Sequence, residues 1–402
     1  MKGYTPDGKA ALVQNAGKFE GTQRDRMPGF DLTVSAPKSV SICWALGSDE
    51  VRQGIEKAQR QAITVMVEKI EEKTIVRTGS GGKIKESAGI IAGVFQHGTA
   101  RQVDKNTPPD MQLHSHITVI NTGVSERGTK AALNGQDFLN PTFAKEYGAI
   151  YRAEFAKGLR EMGFELVATK DAFEIKGIKQ EAIEEFSKRG EQIEKSLEKG
   201  REVATAKEKL AANHKTRQAK REYDPKDLIN LWTTTAERKH HLTHETIDRL
   251  RGKEAAEEKT LQATPQDRLK AVRNAALELA GEKIAFTKRE LQESALHRAA
   301  VMGLGSDGIK ETVDGYLKQE AVYLVSQKLE VEKKDGTKTY HEGLYTTAQH
   351  KYAALKKEHE RAEKEDRQTN VFKEAARHYE SQGSKVMYAT WSNSKAEEME
   401  QK

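Results

Sequence analysis

Two histidines separated by one residue stand in a run of β-branched and apolar residues, Gln112-Leu113-His114-Ser115-His116-Ile117-Thr118-Val119-Ile120. Such a run predicts a β-strand, and because side chains alternate along a strand, His114 and His116 should point to one face. A third histidine, His97, follows a separate apolar stretch at residues 88–96, which also reads as a strand. The pattern predicts an open site in which three imidazoles hold a metal ion.

The same pattern has a second interpretation, in which a surface strand happens to carry His-x-His. His97 at the end of another strand favours the metal site, because three protein ligands leave positions open for water or a substrate oxygen. Asp31 lies in a strand-like run at residues 30–34. A carboxylate there would hold the second ring N–H of a metal-bound histidine or accept a proton from a nucleophile. Its alternative is an aspartate at a strand edge that faces water.

Length and composition bound the class of protein. A chain of 402 residues predicts two or three domains, and a net charge of +6, from 67 basic and 61 acidic residues, fits a nucleic-acid partner without requiring one. The single cysteine, Cys43, excludes an internal disulfide framework and fits a reducing cytoplasm. The start of the chain lacks the apolar core of a signal peptide, and no apolar run approaches the ~20 residues that span a bilayer. We therefore expect a cytoplasmic protein without a membrane segment.

Hydrophobic periodicity predicts the elements around the histidines. We expect a strand over residues 29–34, a helix over 49–73, a helix from Pro141 that ends at Gly163, and a short hairpin over 165–175. Residues 179–225 are helical in pattern and highly charged, with few large apolar side chains. This composition predicts a solvent-exposed helix pair or a linker.

The second half of the chain has a different organisation. Residues 226–347 predict a mainly helical, winged-helix-like module, with a capping box at Thr287-Lys288-Arg289-Glu290 and a hairpin turn at Asp335-Gly336. Residues 348–402 predict helices, one strand and a charged tail. The phosphate-binding pattern Gly-x-x-x-x-Gly-Lys-Ser/Thr does not occur in the sequence, so we expect no ATP hydrolysis.

Several motifs, in this order, resemble those of TrwC/TraI-type conjugative relaxases, the MobF class. They are Gly29-Phe30-Asp31-Leu32-Thr33-Val34-Ser35-Ala36-Pro37-Lys38-Ser39, His97-Gly98-Thr99-Ala100-Arg101, Gln112-Leu113-His114-Ser115-His116, Tyr151-Arg152-Ala153-Glu154, Phe173-Glu174-Ile175 and Phe186-Ser187-Lys188-Arg189. The resemblance covers about residues 5–225. It implies an α+β fold of the His-hydrophobic-His (HUH) endonuclease type, an antiparallel sheet flanked by helices, followed by a mainly helical C-terminal region. Residues 226–347 are similar to the region that precedes a helicase motor, and residues 348–402 to a remnant of that motor.

The resemblance also implies an activity. Such relaxases nick single-stranded DNA at a plasmid origin of transfer: a tyrosine hydroxyl attacks the phosphate, and a divalent metal ion (Mg²⁺, Mn²⁺ or another) stabilises the developing charge. The products are a 5′-phosphotyrosine and a free 3′-hydroxyl. Other relaxosome and conjugation proteins would be further partners. By position, the resemblance assigns metal binding to His97, His114 and His116, the partner carboxylate to Asp31, and DNA-backbone contacts to Lys38 and Arg101.

The nucleophile is the point of departure from the family. The nucleophilic tyrosines of these relaxases lie well upstream of the Gly-Phe-Asp-Leu-Thr motif, where this sequence offers Tyr4 alone. The segment around Tyr4 resembles the stretch after the catalytic helix, and we expect Tyr147 and Tyr151 to lie in a helix core. The nucleophile is thus unassigned, and residues 1–225 are interpreted as a relaxase domain without its N-terminal tyrosine segment. The sequence predicts a relaxase-type strand transferase impaired by that absence. The alternatives are a non-catalytic remnant that binds single-stranded DNA and metal, and an unrelated metal-dependent hydrolase.

Overall fold

The computed structural model describes residues 27–79, 83–170, 172–197, 206–216, 222–252, 263–283, 285–318, 322–332 and 338–347. The predictions that concern Tyr4, the Asp335-Gly336 turn and residues 348–402 lie outside the described residues. The chain divides into two units, Met1–Thr260 and Leu261–Lys402. The boundary that we predict near residue 225 stays a prediction.

The first unit mixes antiparallel sheets with helices, which confirms the α+β class. Its strands are β1 Gly29–Ser35, β2 Ile75–Thr78, β3 Ile84–Gly89, β4 Ala92–Thr99, β5 Met111–Ile120, β6 Gly123–Ser125, β7 Lys130–Ala131, β8 Leu166–Ala168 and β9 Phe173–Ile175. Its helices are α1 Lys38–Leu46, α2 Asp49–Glu71, α3 Gln136–Leu139, α4 Pro141–Glu161, α5 Gln180–Glu185, α6 Lys188–Lys195, α7 Ala206–Lys215, α8 Pro225–His240 and α9 His244–Arg249.

The central element is a three-stranded antiparallel sheet in the order β1-β5-β4. Burial alternates along β5, so Leu113 and Ile117 are fully buried on one face while the histidines lie on the other. Helix α1 packs on the buried side of β5, α2 packs on α1, and α4 packs on α2. A buried Gln59 links these layers, since its Nε2 donates to the Tyr151 hydroxyl (3.2 Å) and its Oε1 accepts from the Ser115 hydroxyl (3.4 Å).

The strand predicted over residues 88–96 is wrong in its limits. The chain instead forms β3 and then β4, which belong to different sheets, and His97 lies inside β4 instead of following it. The break occurs at Ile90 and Ile91. The Ile90 N–H donates to the Glu71 carboxylate (2.8 Å), while the Ile91 carbonyl accepts from Ile120 at the end of β5 (2.9 Å). These non-local partners redirect the chain, and periodicity within the segment cannot show them.

The prediction of an exposed helix pair or linker over residues 179–225 is also wrong. In the described part of this range Ala182 on α5, Arg189 on α6 and Ala212 on α7 are buried, and so is Phe186, which follows α5. The charged residues pack because they find specific partners: Arg189, only 8% exposed, donates to the main chain of α7 and of the turn that follows it. A charged composition therefore did not indicate a solvated segment here.

The second unit contains α10 Pro265–Glu282, β10 Phe286–Thr287, α11 Lys288–Met302, α12 Ile309–Leu317, β11 Val322–Glu332 and β12 Lys338–Thr347, with the strands in the order β10-β12-β11. The capping box predicted at Thr287 is confirmed, because the Thr287 hydroxyl accepts from the Glu290 N–H (3.2 Å) and the Glu290 carboxylate accepts from the Thr287 N–H (2.8 Å). Among the helices of the described residues, none combines the length and apolarity needed to cross a bilayer.

Candidate functional site

Three imidazoles come together on the solvent side of the central sheet. His114 and His116 project from β5, and His97 on β4 lies directly opposite His114 in the strand register. The ring centres form a nearly equilateral triangle: 5.3 Å between His97 and His114, and 5.4 Å for each of the other two pairs. The predicted same-face placement of His114 and His116 is confirmed, and the structure brings His97 to them.

Two of these rings are oriented by groups that can only accept a hydrogen bond. Nδ1 of His116 lies 2.9 Å from Oδ2 and 3.0 Å from Oδ1 of Asp31 on β1. Nδ1 of His114 lies 2.9 Å from the carbonyl oxygen of Gln112. Because a carboxylate and a carbonyl accept, each Nδ1 carries a hydrogen, and in the neutral form of each ring Nε2 keeps its lone pair. This is the tautomer that a metal-binding histidine needs.

The environment also favours the neutral form of His114. Burial lowers the pKa of His114 below its ordinary value, and the neighbouring rings of His97 and His116 act in the same direction, against the opposing bond to Gln112. A neutral imidazole at neutral pH is ready to bind a metal ion without first losing a proton. The Thr33 hydroxyl, 3.2 Å from Nδ1 of His116, is a further partner on β1.

An irregularity in the sheet sets the position of His97. The register between β4 and β5 shifts between His97 and Thr99, the signature of a β-bulge, which re-aims side chains near functional sites. Gly98 lies at this shift, and a Cβ on it would stand 2.3 Å from the ring of Trp44 on α1. A side chain at this position would therefore require the Trp44 ring to shift. Trp44 is itself fixed by a bond from Nε1 to Glu56 (2.9 Å).

The three-histidine cluster has the spacing of a metal site. An ion about 2.1 Å from each Nε2 places the centres of tetrahedrally arranged imidazole rings about 5 Å apart, close to the distances observed. Within the described part of the chain, no group of three or more His, Cys, Asp or Glu side chains is a ready-made metal cage. Binding of a metal ion would therefore require a change in the placement of these rings. Three imidazoles, with the tautomers argued for His114 and His116, are a donor set that fits a divalent ion.

A cleft of about 980 Å³ opens beside the histidines. It extends from Asp31 and the imidazoles to the loop before β5, which contributes Arg101 and Asp110, and on to helix α6. Arg101 therefore lines the same cleft as the three histidines. Its predicted contact with a DNA backbone stays a prediction.

Lys38 also lines this cleft, but its ammonium is engaged with the protein. Its Nζ donates to the Met111 carbonyl at the start of β5 (2.8 Å). Burial lowers the pKa of Lys38 to about 8, although the nearby carboxylates of Asp110 and Glu174 oppose the shift. The geometry gives Lys38 a role in anchoring β5, and its predicted contact with DNA stays a prediction.

The helices of residues 180–240 hold one wall of the cleft. Asp110, 5% exposed, accepts from Nζ of Lys188 (2.8 Å) and from its N–H (2.9 Å). Trp232 Nε1 donates to the Pro109 carbonyl (3.0 Å), and Gln192 Nε2 donates to the Val103 carbonyl (2.7 Å). These partners fix the loop that carries Arg101. Lys188 belongs to the Phe186-Ser187-Lys188-Arg189 motif of the resemblance, whereas Asp110, Gln192 and Trp232 lie outside the motifs.

The described tyrosines on α4 do not serve the site. Tyr147 and Tyr151 are 6% and 2% exposed, which confirms their predicted place in the helix core. Burial raises the pKa of the Tyr151 hydroxyl, the opposite of what an activated nucleophile needs. Among the described residues that line the cleft there is no tyrosine.

Comparison with known proteins gives one family. Residues 1–239, more than half of the chain, match the model of the TrwC relaxase. Over 246 residues the chain is 26% identical to the multifunctional conjugation protein TraI of Escherichia coli and 28% identical to TraI of Escherichia coli strain K12. These alignments cover 58% of this chain and 13% of the TraI chains, so the chain spans about an eighth of the length of those relatives.

Solved structures of the conjugative relaxase TrwC are also similar to this chain. A complex with mutant OriT DNA is 31% identical, with 57% of this chain and 82% of that chain covered and a TM-score of 0.48. A metal-bound complex with OriT DNA is 30% identical, with 56% and 79% covered and a TM-score of 0.48.

Proposed function

Since the chain belongs to the TrwC relaxase family, we propose that it is a relaxase-type, metal-dependent strand transferase acting on single-stranded DNA at an origin of transfer. The observation that carries the proposal is the triangle of imidazoles beside an open cleft, with Nδ1 of His114 and of His116 each held by an acceptor. In a structural metal site protein ligands fill all the coordination positions, whereas three protein ligands leave a position open for a phosphate oxygen. The predicted cytoplasmic location and the partnership with other conjugation proteins belong to the same proposal.

The residues of the chain would divide the work as follows. Nε2 of His97, His114 and His116 would hold a divalent ion, Mg²⁺, Mn²⁺ or another. When bound, that ion would polarise the scissile phosphate and offset the charge that develops on its oxygens. Asp31 would keep His116 in the required tautomer and, with its side chain 55% exposed, could also receive the proton of an attacking hydroxyl. Arg101 would stabilise the neighbouring backbone phosphates.

The proposed reaction is an in-line displacement at phosphorus. A tyrosine oxygen forms a bond to the phosphorus while the bond to the 3′-oxygen of the preceding nucleotide breaks. The tyrosine proton passes to a base, and the departing 3′-oxygen takes up a proton. The 5′-phosphotyrosine conserves the bond energy, so the same protein can rejoin the strand. The nucleophile stays unassigned, and Tyr4 is the tyrosine before β1 that an experiment can test.

Binding without cleavage is the second candidate function. The cleft lining supports it, because the described residues there supply histidines, acids and bases but no tyrosine. In this case the chain would retain a single strand at the histidines, and its affinity would fall steeply with salt, since phosphates dominate such contacts.

Labelled single-stranded oligonucleotides separate the candidates. The oligonucleotides are tiled across the non-coding DNA beside the gene and incubated with the protein and Mg²⁺ or Mn²⁺. Strand transfer predicts that a 3′-labelled fragment migrates with the protein in denaturing gels, while a 5′-labelled fragment is released. Tyr4→Phe should abolish the adduct if Tyr4 is the nucleophile, and Tyr151→Phe is the matched buried control.

The remaining outcomes are equally distinct. Metal-dependent retention of the oligonucleotide without an adduct supports binding alone and rejects strand transfer by this chain. Metal binding without retention of single-stranded DNA rejects both candidate functions and favours the unrelated metal-dependent hydrolase. His97→Ala should lose metal binding in each case, so it tests the site and not the function.

A further inference from the structure

An aromatic side chain lies exposed beside the histidine triangle. Phe95 is 57% exposed, and Gln96 separates it from His97 on β4, so Phe95 and His97 share the face of the sheet that carries the triangle. In the strand register Phe95 lies opposite His116. Phe95 is therefore a direct neighbour of two of the three imidazoles, although it is not among the residues that line the cleft.

The residue beneath this ring is a glycine, Gly93. A Cβ on Gly93, two residues before Phe95, would stand 3.1 Å from Cε2 and 3.3 Å from Cζ of the ring. The ring therefore leans along β4 over Gly93, away from His97, and occupies the space that a side chain would fill. Thr118, the partner of Gly93 on β5, is exposed as well. The face beyond the histidines is thus an open shelf that carries the exposed Phe95 ring.

Phe95 does not contribute to the hydrophobic core. The core side of β5 is formed by residues such as Leu113 and Ile117, whereas Phe95 faces the polar side with Asp31 and the histidines. Full burial of a phenylalanine contributes about 1.5–3 kcal/mol, most of which an exposed ring forgoes. A planar apolar partner would recover it. A nucleobase is such a partner, and stacking on aromatic rings is how single strands are held without sequence preference.

The distances suit a nucleotide. Residues two apart on a strand are separated by about 6.8 Å, so a phosphate held at the histidines places its adjoining base within reach of the shelf. We propose that Phe95 is a stacking platform for the nucleobase next to the phosphate held at His97, His114 and His116. The inference rests on the proposed function, because it requires a single strand in the site.

The test compares four proteins at one fixed salt concentration: the unaltered chain, Phe95→Leu, Phe95→Trp and Val94→Ala. Val94 is the matched control, since it is 49% exposed on the same strand but points to the opposite face. The probe is an oligothymidylate with one 2-aminopurine, whose fluorescence is quenched by stacking, placed at successive positions. Affinity, quenching and thermal stability are measured for each protein with Mn²⁺ present.

Stacking predicts that Phe95→Leu weakens binding by about 5- to 100-fold and removes the quenching at one position, because one base–aromatic contact is lost. Phe95→Trp should keep both, and Val94→Ala should resemble the unaltered chain. Equal affinity and quenching in Phe95→Leu and the unaltered chain would overturn the platform while leaving the proposed function intact.

Two other outcomes also reject the platform. If Phe95→Leu and Phe95→Trp both lower thermal stability without a change in affinity or quenching, the ring packs against protein instead of a base. If the unaltered chain fails to bind any single strand, the proposed function fails first and the platform with it.

Discussion

Nδ1 of His116 on β5 lies 2.9 Å from Oδ2 of Asp31 on β1, so one strand of the central sheet orients a histidine carried by its neighbour. The two residues are separated by 85 positions in the chain. Their pairing follows from the antiparallel register, in which Thr33 faces His116 and Asp31 lies two residues further along the same face. The bond selects the tautomer whose Nε2 is available to a metal ion.

Asp31→Ala should weaken metal binding by about 10- to 100-fold, the usual cost of losing a partner that orients a ligand. Without the carboxylate, the ring of His116 samples both tautomers and more rotations. Titration calorimetry of metal-free protein with Mn²⁺ measures the effect. Asp307→Ala is the control, because its side chain is 95% exposed and lies in the second unit. An affinity unchanged by Asp31→Ala would show that the bond does not serve the metal site.

His114 should make the stability of the metal-free protein depend on pH in one direction. Because burial holds its pKa in the folded chain below the unfolded value of about 6.5, the unfolded chain binds the proton first as the pH falls. The contribution of neutral His114 is therefore fully present above pH ~6.5 and lost as the pH falls towards the lower folded pKa. Urea unfolding of the unaltered chain and of His114→Gln from pH 8 to pH 5 should show a difference that declines below about pH 6.5. The exposed His244→Gln serves as the control, and a pH-independent difference for His114→Gln would contradict the shift.

Arg189→Met should destabilise the first unit by about 2–4 kcal/mol, the range for buried hydrogen-bonded charges. The guanidinium donates to the Thr216 carbonyl (2.9 Å) and to the main chain and side chain of Asn213 (3.0 and 2.8 Å), and these acceptors would lose their partner. Hydrogen exchange should accelerate in α7 more than elsewhere. Arg238→Met, on the exposed side of α8, should change neither quantity. Unaltered protection of α7 would argue against the role given to Arg189.

Lys38→Met should reveal how burial of the Lys38 ammonium affects the free energy of unfolding. The pKa of Lys38 is about 8 in the folded chain against 10.5 ordinarily, so between these values the unfolded chain binds more protons. The stability of the unaltered chain relative to Lys38→Met should therefore rise as the pH increases from about 8 to 10.5, by at most about 1.4 kcal/mol per pH unit. Chemical denaturation across this range measures it, with the exposed Lys226→Met as control. A flat or falling difference would be incompatible with the lowered pKa.

The sequence by itself determined the local half of the site. Strand alternation has a period of two, so His114 and His116 share a face whatever the rest of the fold does. The capping box at Thr287 and the helix from Pro141 are similarly local, since the groups that begin a helix lie within four residues of one another. These features could be predicted without knowledge of distant contacts.

The tertiary structure alone decided the other half. Periodicity could not show that β4 and β1 flank β5, which is what brings His97 and Asp31 to the two histidines of that strand. It also misjudged residues 179–225, whose charges are satisfied by partners such as Asp110, 78 positions from Lys188. Contacts of this kind depend on loop closure and on the burial of paired charges, which a local window of sequence does not encode. The identities of the candidate ligands can therefore be predicted from the sequences of the strands. Their assembly into one site depends on the order in which those strands pair in the sheet.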